Sequence, residues 1–550
     1  MSRILVLGGY GGFGARISRR LAEAGHEVIV AGRSATRARH FCSAVAGTIP
    51  LAFDRRDIGP ILSEQRPAIV IDASGPFQSM GYQVPGACIA AGVHYCDIAD
   101  GRDLVCGIGT LDAAARTAGV AVIAGGSSVP ALSGAVVRAL AEDIDQVHAV
   151  EMAISASNRA TAGPAVAAAI LGQVGQPLRL FRAGRWVERF GWQEMRRQGF
   201  FVPGSAPIRG RLVGLADVPD LALLPDRLPG TPGCSFRAGS ELDVQNLALW
   251  LGSWVVRWGW VAGLGRLSKL LGRLQHMTGK WGTDRSAMIV RLFGVRGGGR
   301  RGERVERRWT LIADQGIGPE IPALSVPLLV ARILTGKEAA GARDAGLSLD
   351  LMDYAPVFAG LPIKISIEDR PAPAALYKRL MGPAFHTLPP TLQAMHQPWR
   401  DASAEGEAEV TGSDNVVARA IARIIGFSAP GHHVLRVDFA VRGGTERWTR
   451  AFGDRSFTSE LSASKGQLVE RFGPLRFRFG LPADDTGLSM RMRGWSVFGV
   501  RLPLILSPRT MAREWEVDGR FHFDVSIALP LIGPVVRYRG WLATAERCSV

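Results

Sequence analysis

Three glycines near the N-terminus have the spacing of a dinucleotide-binding turn. Gly9, Gly11 and Gly14 lie between a short apolar run, 3–7, and a segment with a helical pattern, 15–24. In such a turn the first glycine permits a tight bend, the second lets a pyrophosphate approach the backbone, and the third lets the helix pack on the strand. The free N–H groups at the start of the helix would face the phosphates. The turn therefore predicts a dinucleotide site, against the alternative of a glycine-rich turn that binds nothing, and its residues are Gly9, Tyr10, Gly11, Gly12, Phe13 and Gly14.

An arginine follows the second predicted strand, at the position where a dinucleotide site distinguishes NAD from NADP. The strand ends in Gly32-Arg33-Ser34, whereas a site for NAD usually has Asp or Glu here to bind the ribose hydroxyls. A guanidinium group can bind the 2′-phosphate of NADP or stack on adenine. We therefore expect NADP (NADPH) as the cofactor, with Arg33 and Ser34 at its adenosine end, and a surface arginine without a ligand is the alternative. Further candidates for this end are Arg37, Arg39 and Asp54, the last of which could also merely start a loop.

Two residues at the end of a later predicted strand could transfer a proton. Tyr95 and Asp97 lie at the carboxyl end of the segment 93–98, where parallel sheets place their ligands. Either side chain could donate or orient a proton during hydride transfer, so we take both as candidate catalytic residues. The alternative is structural, with His94 and Tyr95 packed in the core and Asp97 capping the next turn.

Two serines precede another predicted helix. Ser127 and Ser128 follow a predicted strand and come before the segment 130–141. They could donate hydrogen bonds to a cofactor or a substrate. We favour the other interpretation, in which they cap the helix that Pro130 begins.

Predicted strands and helices alternate over residues 1–130. Strands are expected at 68–74, 93–98 and 120–124, with helices at 84–91 and 111–118 between them. Strands joined by helical crossovers imply a doubly wound parallel sheet of the Rossmann type.

Four motifs of this region together resemble the saccharopine dehydrogenase-like NADP-binding proteins. They are the glycine turn, Ala31-Gly32-Arg33, the run 73–77, and Cys88-x-x-Ala-Gly-Val-His-Tyr-Cys-Asp97. The resemblance covers 1–130 well and extends loosely to 370. It implies an oxidoreductase in which the loop after residue 73 lies near the nicotinamide and the strand end at Tyr95 and Asp97 faces the same cleft. The loop residues that it assigns to the cofactor are Ser74, Gly75, Pro76 and Phe77. The run 98–101 departs from the glycine-glutamate pair that many relatives have there.

Residues 131–370 would form an α+β substrate and dimerisation domain, with an unusual apolar segment at 247–274. Its first part, 247–264, has Arg257 as its one charged residue, and basic residues follow. Three alternatives fit it: a helix at a membrane interface, a helix lining an apolar substrate cavity or a dimer seam, and a membrane span. The aromatic residues that suggest these alternatives are Trp250, Trp254, Trp258 and Trp260.

The C-terminal region, 385–546, is expected to form an antiparallel β-barrel-like or sandwich domain. A proline-containing linker at 371–373 precedes it, and nine short strands are predicted between 434 and 543. Motifs such as Trp448-x-Arg450-x-Phe452-Gly453 and Tyr538-Arg-Gly-Trp-Leu542 are similar to an uncharacterised bacterial domain that is fused to saccharopine dehydrogenase-like proteins. That resemblance implies no chemistry.

Charge and composition narrow the set of partners. The 550 residues carry a formal charge of +16, and the arginines are spread along the chain without a nucleic-acid-binding motif, so we expect no nucleic acid. The densest arginine run, 296–308, is interpreted as a solvated hairpin tip, with a phosphate-binding patch as the alternative. The six cysteines and the histidines lack metal-ligand spacing, so no metal is expected, and a cytoplasmic location is expected because no signal peptide is recognised.

These observations favour one function over its competitors. We expect an NADP-dependent oxidoreductase that transfers a hydride to or from a small, hydrophobic or lipid-like substrate, because 247–274 is apolar and no acid-and-base cluster suits a charged substrate. A homodimer and peripheral membrane contact through 247–274 are secondary expectations. The alternatives are a non-catalytic nucleotide-sensing or membrane-associated protein whose β domain holds an apolar ligand and, from charge alone, a polyanion-binding protein.

Overall fold

Residues 1–78, 80–160, 163–265, 278–279, 281–297 and 302–544 are described by the computed structural model. The chain divides into two units. The first comprises Met1–Phe181 and Trp186–Arg370, and the second comprises Arg182–Arg185 and the chain from Pro371 onward.

A seven-stranded parallel sheet forms the nucleotide-binding half of the first unit. Its strand order reverses beside Arg3–Leu7, and open α/β sheets bind ligands in the crevice at such a point. The register aligns Leu7 with Ala31 and Asp72, so that these strands end at one level. The sheet confirms the predicted Rossmann-type architecture, and one edge strand comes from the range assigned to the substrate domain. The strands in spatial order are Gly341–Asp344, Ala121–Ala124, His94–Asp97, Ile69–Asp72, Arg3–Leu7, Glu27–Gly32 and Thr48–Ala52.

Helices cover this sheet because its central strands are apolar on both faces, as in Ile4–Leu7. The helix Ser325–Leu334 follows the 3₁₀ turn Gly318–Ala323. The α-helices are Gly12–Glu23, Ala35–Ala44, Ile58–Gln65, Gln83–Ala90, Arg102–Gly107, Asp112–Thr117, Ser133–Ala141, Ser325–Leu334 and Ala355–Ala359.

A second seven-stranded sheet, mostly antiparallel, forms the rest of the first unit. The predicted hairpin around the arginine run is present as Ser286–Arg296 paired with Glu303–Ala313, and residues 298–301 of its tip lie outside the described residues. The spatial order is Arg196–Phe200, Ile208–Leu215, Gly233–Ser240, Gln146–Ala156, Ser286–Arg296, Glu303–Ala313 and Ile363–Pro371. A separate two-stranded pair and three helices accompany it: Pro177–Arg182, Arg185–Phe190, Pro164–Gln173, Asp220–Arg227 and Asp243–Arg257.

The tryptophan-rich segment begins as the helix Asp243–Arg257. The Arg257 guanidinium lies 4.4 Å from the ring centroid of Phe190 and 5.0 Å from that of Trp254, and it donates to Gln193. Beyond the helix, Trp258 is 59% exposed and Trp260 72% exposed. Residues 266–274 of the predicted segment lie outside the described residues. Among the helices that the structure describes, none has the length and apolar character needed to span a membrane.

The second unit is a closed antiparallel barrel of ten strands. Each strand pairs with its neighbour in sequence, and Gly533–Thr544 pairs with Asp401–Thr411 to close the ring. Closure decides between the barrel and the sandwich that the sequence left open. The barrel strands are Asp401–Thr411, Gly431–Arg442, Thr445–Phe452, Arg455–Ser464, Gln467–Phe472, Leu475–Gly480, Gly487–Val497, Arg509–Val517, Arg520–Leu529 and Gly533–Thr544.

Three short helices and one extra strand accompany the barrel. Among the described strands, Val500–Leu502 pairs only with Gly487–Val497, outside the ring. The helices are Leu376–Met381, Pro390–Met395 and Val416–Ile425. The barrel core is rich in aromatic side chains, and a fully buried His396 stacks on Tyr377 with ring centroids 3.9 Å apart.

Candidate functional site

The glycine turn lies between the strand Arg3–Leu7 and the helix Gly12–Glu23. A side chain at Gly14 would place its Cβ 2.1 Å from the carbonyl oxygen of Gly8, so close packing of helix on turn requires glycine there. Gly11 precedes the helix, and no side chain caps the first turn. The N–H groups of that turn are therefore available to an anion.

Tyr10 connects this turn to the adenosine end of the site. Its hydroxyl accepts a hydrogen bond from the backbone N–H of Ser34 at 2.8 Å, and the Arg37 guanidinium lies 4.9 Å from the centroid of its ring. Arg33 and Arg37 line the cavity described below, whereas Ser34 does not. The Ser34 hydroxyl instead accepts from the backbone N–H of Arg37 and caps the helix Ala35–Ala44.

A third arginine, which the sequence did not single out, lies at the same end. Arg56 lines the cavity and pairs with Asp54 at 3.0 Å. Hydrogen bonds from Arg56 lower the pKa of Asp54 to about 2. Arg33 has no hydrogen bond or ion pair with any residue that the structure describes, and Arg39 does not line the cavity. The end of the site thus presents three arginines, Arg33, Arg37 and Arg56, of which Arg56 is paired with Asp54.

The loop Ser74 to Phe77 forms the next part of the cavity wall. Its position depends on Asp72, which is completely buried at the end of the strand Ile69–Asp72. The backbone N–H and the hydroxyl of Ser74 both donate to Asp72 Oδ1, at 3.0 and 2.5 Å, and Arg55 pairs with the other carboxylate oxygen. Asp72 and Arg55 therefore fix the loop, and neither was identified from the sequence.

Tyr95 and Asp97 lie together, but neither side chain lines the cavity. Both are buried, and the Tyr95 hydroxyl donates to Asp97 Oδ2 at 3.0 Å. Asp97 Oδ1 accepts from the backbone N–H groups of Ala99 and Gly125, at 2.9 and 2.7 Å. Burial raises the pKa of Asp97 to about 7. These contacts join the ends of the neighbouring strands His94–Asp97 and Ala121–Ala124 and hold the chain segments that follow the two strands.

Those following segments do reach the cavity. Ser127 and Ser128 line it, and neither makes the predicted capping bond, because the turn Ser128–Leu132 has no side-chain cap. The preferred capping interpretation is therefore wrong. Asp100 also lines the cavity and accepts a hydrogen bond from Gln78 at 3.0 Å. Burial raises the pKa of Asp100 above its usual value.

The glycine turn, the arginines Arg33, Arg37 and Arg56, the loop Ser74 to Phe77 and the segments that carry Asp100 and Ser127 border one cavity of about 1000 Å³ within the first unit. The cavity continues from the glycine turn to the second sheet and the helix Pro164–Gln173, where its wall is mainly apolar. Leu249 of the tryptophan-rich helix belongs to this wall. We call this part the apolar chamber, and its apolar lining is Ile154, Val166, Ala167, Ala169, Ile170, Trp192, Ala216, Val218, Phe236, Leu249, Ala287, Met288 and Ile321.

A few polar groups interrupt the apolar chamber. Ser155 is buried, and its hydroxyl has no hydrogen-bond partner among the described residues. Asp217 is paired with Arg102, and burial raises its pKa although the arginine opposes the shift. The Ser286 hydroxyl accepts from the backbone N–H of Ser157 at 3.0 Å. Within the described residues, no cluster of three or more His, Cys, Asp or Glu side chains is arranged to hold a metal ion.

Two family models match the chain. Residues 4–123 match the Saccharopine dehydrogenase NADP binding domain, which confirms the resemblance seen in the motifs. Residues 388–542 match a Domain of unknown function (DUF4166). None of the curated proteins matches the chain.

Solved structures are similar at low identity. Saccharopine dehydrogenase (L-Glu forming) from Saccharomyces cerevisiae is 12% identical, with 67% of this chain and 100% of that chain covered and a TM-score of 0.47. Amine dehydrogenase from Mycobacterium smegmatis is 11% identical over 63% of this chain and 95% of that chain, with a TM-score of 0.32. The enzyme WbmG from Bordetella bronchiseptica, in complex with NAD, is 22% identical over 18% of this chain and 36% of that chain, with a TM-score of 0.16.

The residues present suit a phosphate-bearing dinucleotide. Gly11 and Gly12 put no side chain against the uncapped first turn of the helix, and Arg33 lines the cavity with no hydrogen bond or ion pair to a described residue. The match of residues 4–123 to the Saccharopine dehydrogenase NADP binding domain supports NADP as the cofactor and oxidoreduction as the class of chemistry. The chain also matches a domain of unknown function.

Proposed function

We propose that the protein transfers a hydride between NADPH and the carbonyl carbon of an apolar, lipid-like substrate held in the apolar chamber. The observation that carries this proposal is the continuity of the cavity from the glycine turn to the chamber within one unit. NADPH, when bound, supplies the hydride, and a proton added to the carbonyl oxygen completes an alcohol.

The cofactor would bind with its two ends in different surroundings. The uncapped helix turn after Gly11 suits the pyrophosphate, and Arg33, Arg37 and Arg56 suit the 2′-phosphate. The nicotinamide would then lie beside the loop Ser74 to Phe77, at the opening of the apolar chamber. The bonds from Ser74 to the buried Asp72 support this role, because they hold the loop rigid before any ligand arrives.

Asp100 is our candidate for the proton donor. It is the carboxyl on the cavity wall that follows the strand His94–Asp97, and burial raises its pKa toward the range in which a carboxyl can act as an acid. We assign Tyr95 and Asp97 a positioning role behind it, because their hydrogen bonds hold the start of the same segment.

The lining of the apolar chamber supports an apolar substrate. The lining carboxylate Asp217 is already paired with Arg102, so it is poorly suited to bind a cationic substrate. The Ser155 hydroxyl, buried and without a partner among the described residues, could donate a hydrogen bond to one polar group of the substrate. One unpaired hydroxyl in a mainly apolar wall, whose other polar groups Asp217 and Ser286 already have partners, favours a molecule with one oxygen function and a hydrocarbon body.

The test is NADPH oxidation with a series of aldehydes from ethanal to dodecanal. We expect kcat/KM to rise with chain length, and Asp100→Asn to lower kcat about 100-fold. The matched control is Asp103→Asn, because Asp103 is exposed and does not line the cavity. NADPH binding without oxidation by any aldehyde would contradict the proposal and favour the nucleotide-sensing alternative.

A further inference from the structure

The turns at one end of the barrel expose large apolar side chains. Because the strands run alternately up and down, the segments 412–430, 498–508 and 530–532 all connect strands at the same end. We call the exposed apolar side chains of this end the apolar rim: Val416, Val417, Ile424, Phe498, Ile505 and Leu531. Phe498 is 85% exposed and Ile505 84% exposed.

The helix of the rim, Val416–Ile425, has an unusual distribution of apolar residues. A surface helix normally buries its apolar face, but Ala418 is the one fully buried residue of this helix. Asn415 caps the helix and donates from its side chain to the carbonyl of Ile532 at 3.2 Å. That bond brings the start of the helix beside the turn that carries Leu531. The apolar residues Val416 and Val417 are thus presented to solvent next to Leu531.

A hairpin forms the other part of the rim. Phe498 and Gly499, both with positive φ (48° and 88°), make the tight turn between Gly487–Val497 and Val500–Leu502. Glycine, asparagine or aspartate is usual at such positions, so a phenylalanine there is unfavourable for the backbone. Trp495 Nε1 donates to the carbonyl of Pro503 at 3.0 Å and fixes the loop that carries Ile505. The exposed side chains of Phe498 and Ile505 are therefore carried by a loop that a hydrogen bond holds in place.

Cations lie on the same segments as these side chains. Residues 498–509 contain no acidic residue, and their two arginines, Arg501 and Arg509, are exposed. The helix adds Arg419 and Arg423. Apolar side chains on separate protruding turns, with arginines between them, match the interface of an anionic bilayer, where the tips enter the acyl boundary and the guanidinium groups pair with headgroups. A protein groove would require one continuous complementary surface instead.

We propose that the apolar rim docks the barrel on the surface of a membrane that contains anionic lipids. This contact is distinct from the segment 247–274 and does not depend on the proposed reaction. It assigns a surface role to the C-terminal domain, whose family description gives no function.

The test is sedimentation of the full chain with vesicles of phosphatidylcholine, with or without phosphatidylserine. We expect binding to the anionic vesicles, and at least tenfold weaker binding by the double variant Phe498→Ser/Ile505→Ser. The variant Arg501→Ser/Arg509→Ser should reduce the preference for phosphatidylserine. The control, Met352→Ser/Ile367→Ser, removes two exposed apolar side chains of the other unit and should bind like the wild type.

Two further measurements keep the result decisive. The far-UV circular dichroism spectrum and the thermal unfolding curve should be the same in every variant, which shows that both units remain folded. The variant Trp258→Ser/Trp260→Ser tests the segment 247–274 separately. Wild-type binding by the rim variant, loss of binding only in the tryptophan variant, equal binding to neutral vesicles, or no vesicle binding by the wild type would each overturn the proposal.

Discussion

The two halves of the cavity are built in different ways. The nucleotide half consists of turns at the ends of parallel strands, where backbone N–H groups, glycines and arginines form the wall. The apolar chamber is formed by side chains from the second sheet and the helices packed near it. Turns that bind phosphate need particular residues at particular spacings, whereas an apolar wall needs only volume and hydrophobicity.

This difference separates the effects that substitutions should have. A change in the nucleotide half should alter backbone geometry or a buried charge, and so affect both stability and cofactor binding. A change in the apolar chamber should alter the space for a substrate while leaving cofactor binding intact. The following predictions test that separation, beginning with the largest effect.

Asp97→Asn should change how stability depends on pH. The pKa of Asp97 in the folded protein, about 7, lies above its unfolded value, so the carboxyl contributes most stability at low pH and less as pH rises toward 7. The stability of the wild type relative to the variant should therefore fall by about 3 kcal/mol between pH 4 and pH 7. Urea unfolding across this range measures it.

The control for this prediction is Asp54→Asn. Because the pKa of Asp54 is lowered to about 2, that carboxyl is ionised in both states over most of the same pH range. The stability difference for Asp54→Asn should stay nearly constant there. If the stability difference between the wild type and Asp97→Asn also stayed constant with pH, burial would not raise the pKa of Asp97.

Gly14→Ala should destabilise the protein and abolish tight NADPH binding. The added Cβ would lie 2.1 Å from the carbonyl oxygen of Gly8, so the turn or the helix must move. We expect a loss of about 2–3 kcal/mol in the free energy of unfolding. Gly59→Ala is the control, because nothing lies within 4 Å of its Cβ, and it should be neutral or slightly stabilising. Equal effects of the two variants would contradict close packing at the turn.

Ile170→Trp should affect the apolar chamber alone. The larger side chain would occupy space beside the second sheet, so we expect kcat/KM for dodecanal to fall about tenfold, at unchanged NADPH affinity. Gly172→Trp places the same side chain on the same helix where its Cβ meets open space, and it should have little effect. A loss of NADPH affinity in Ile170→Trp would show that the two halves are not separable.

The same difference explains what the sequence could predict. The glycine spacing and Arg33 are local signals, so the parallel sheet and the cofactor followed from a few neighbouring residues. Asp72 and Arg55 carry no such signal, because their pairing joins the ends of separate elements and only the folded sheet brings them together. The apolar chamber was suggested only by the tryptophan-rich segment, which contributes Leu249 to a wall that several other elements complete.

The barrel was predicted without one of its closing strands. Asp401–Thr411 alternates small or apolar residues with glutamates, and alanine, glycine and glutamate have low β propensity. Its inward positions are nevertheless buried, and at Gly406 a Cβ would lie 2.0 Å from the carbonyl oxygen of Trp541. Small residues are thus required where this strand approaches its neighbour closely. Because small residues have low β propensity, the sequence of this segment does not predict a strand.

Titration of the protein with NADPH and NADH, followed by nicotinamide fluorescence, tests the central claim most directly. The wild type should bind NADPH more tightly than NADH, and Arg33→Ala should remove about tenfold or more of that preference without weakening NADH binding. Arg39→Ala should leave the preference unchanged, because Arg39 does not line the cavity. Equal binding of the two nucleotides by the wild type, or an unchanged preference in Arg33→Ala, would contradict the assignment of the arginines to the 2′-phosphate.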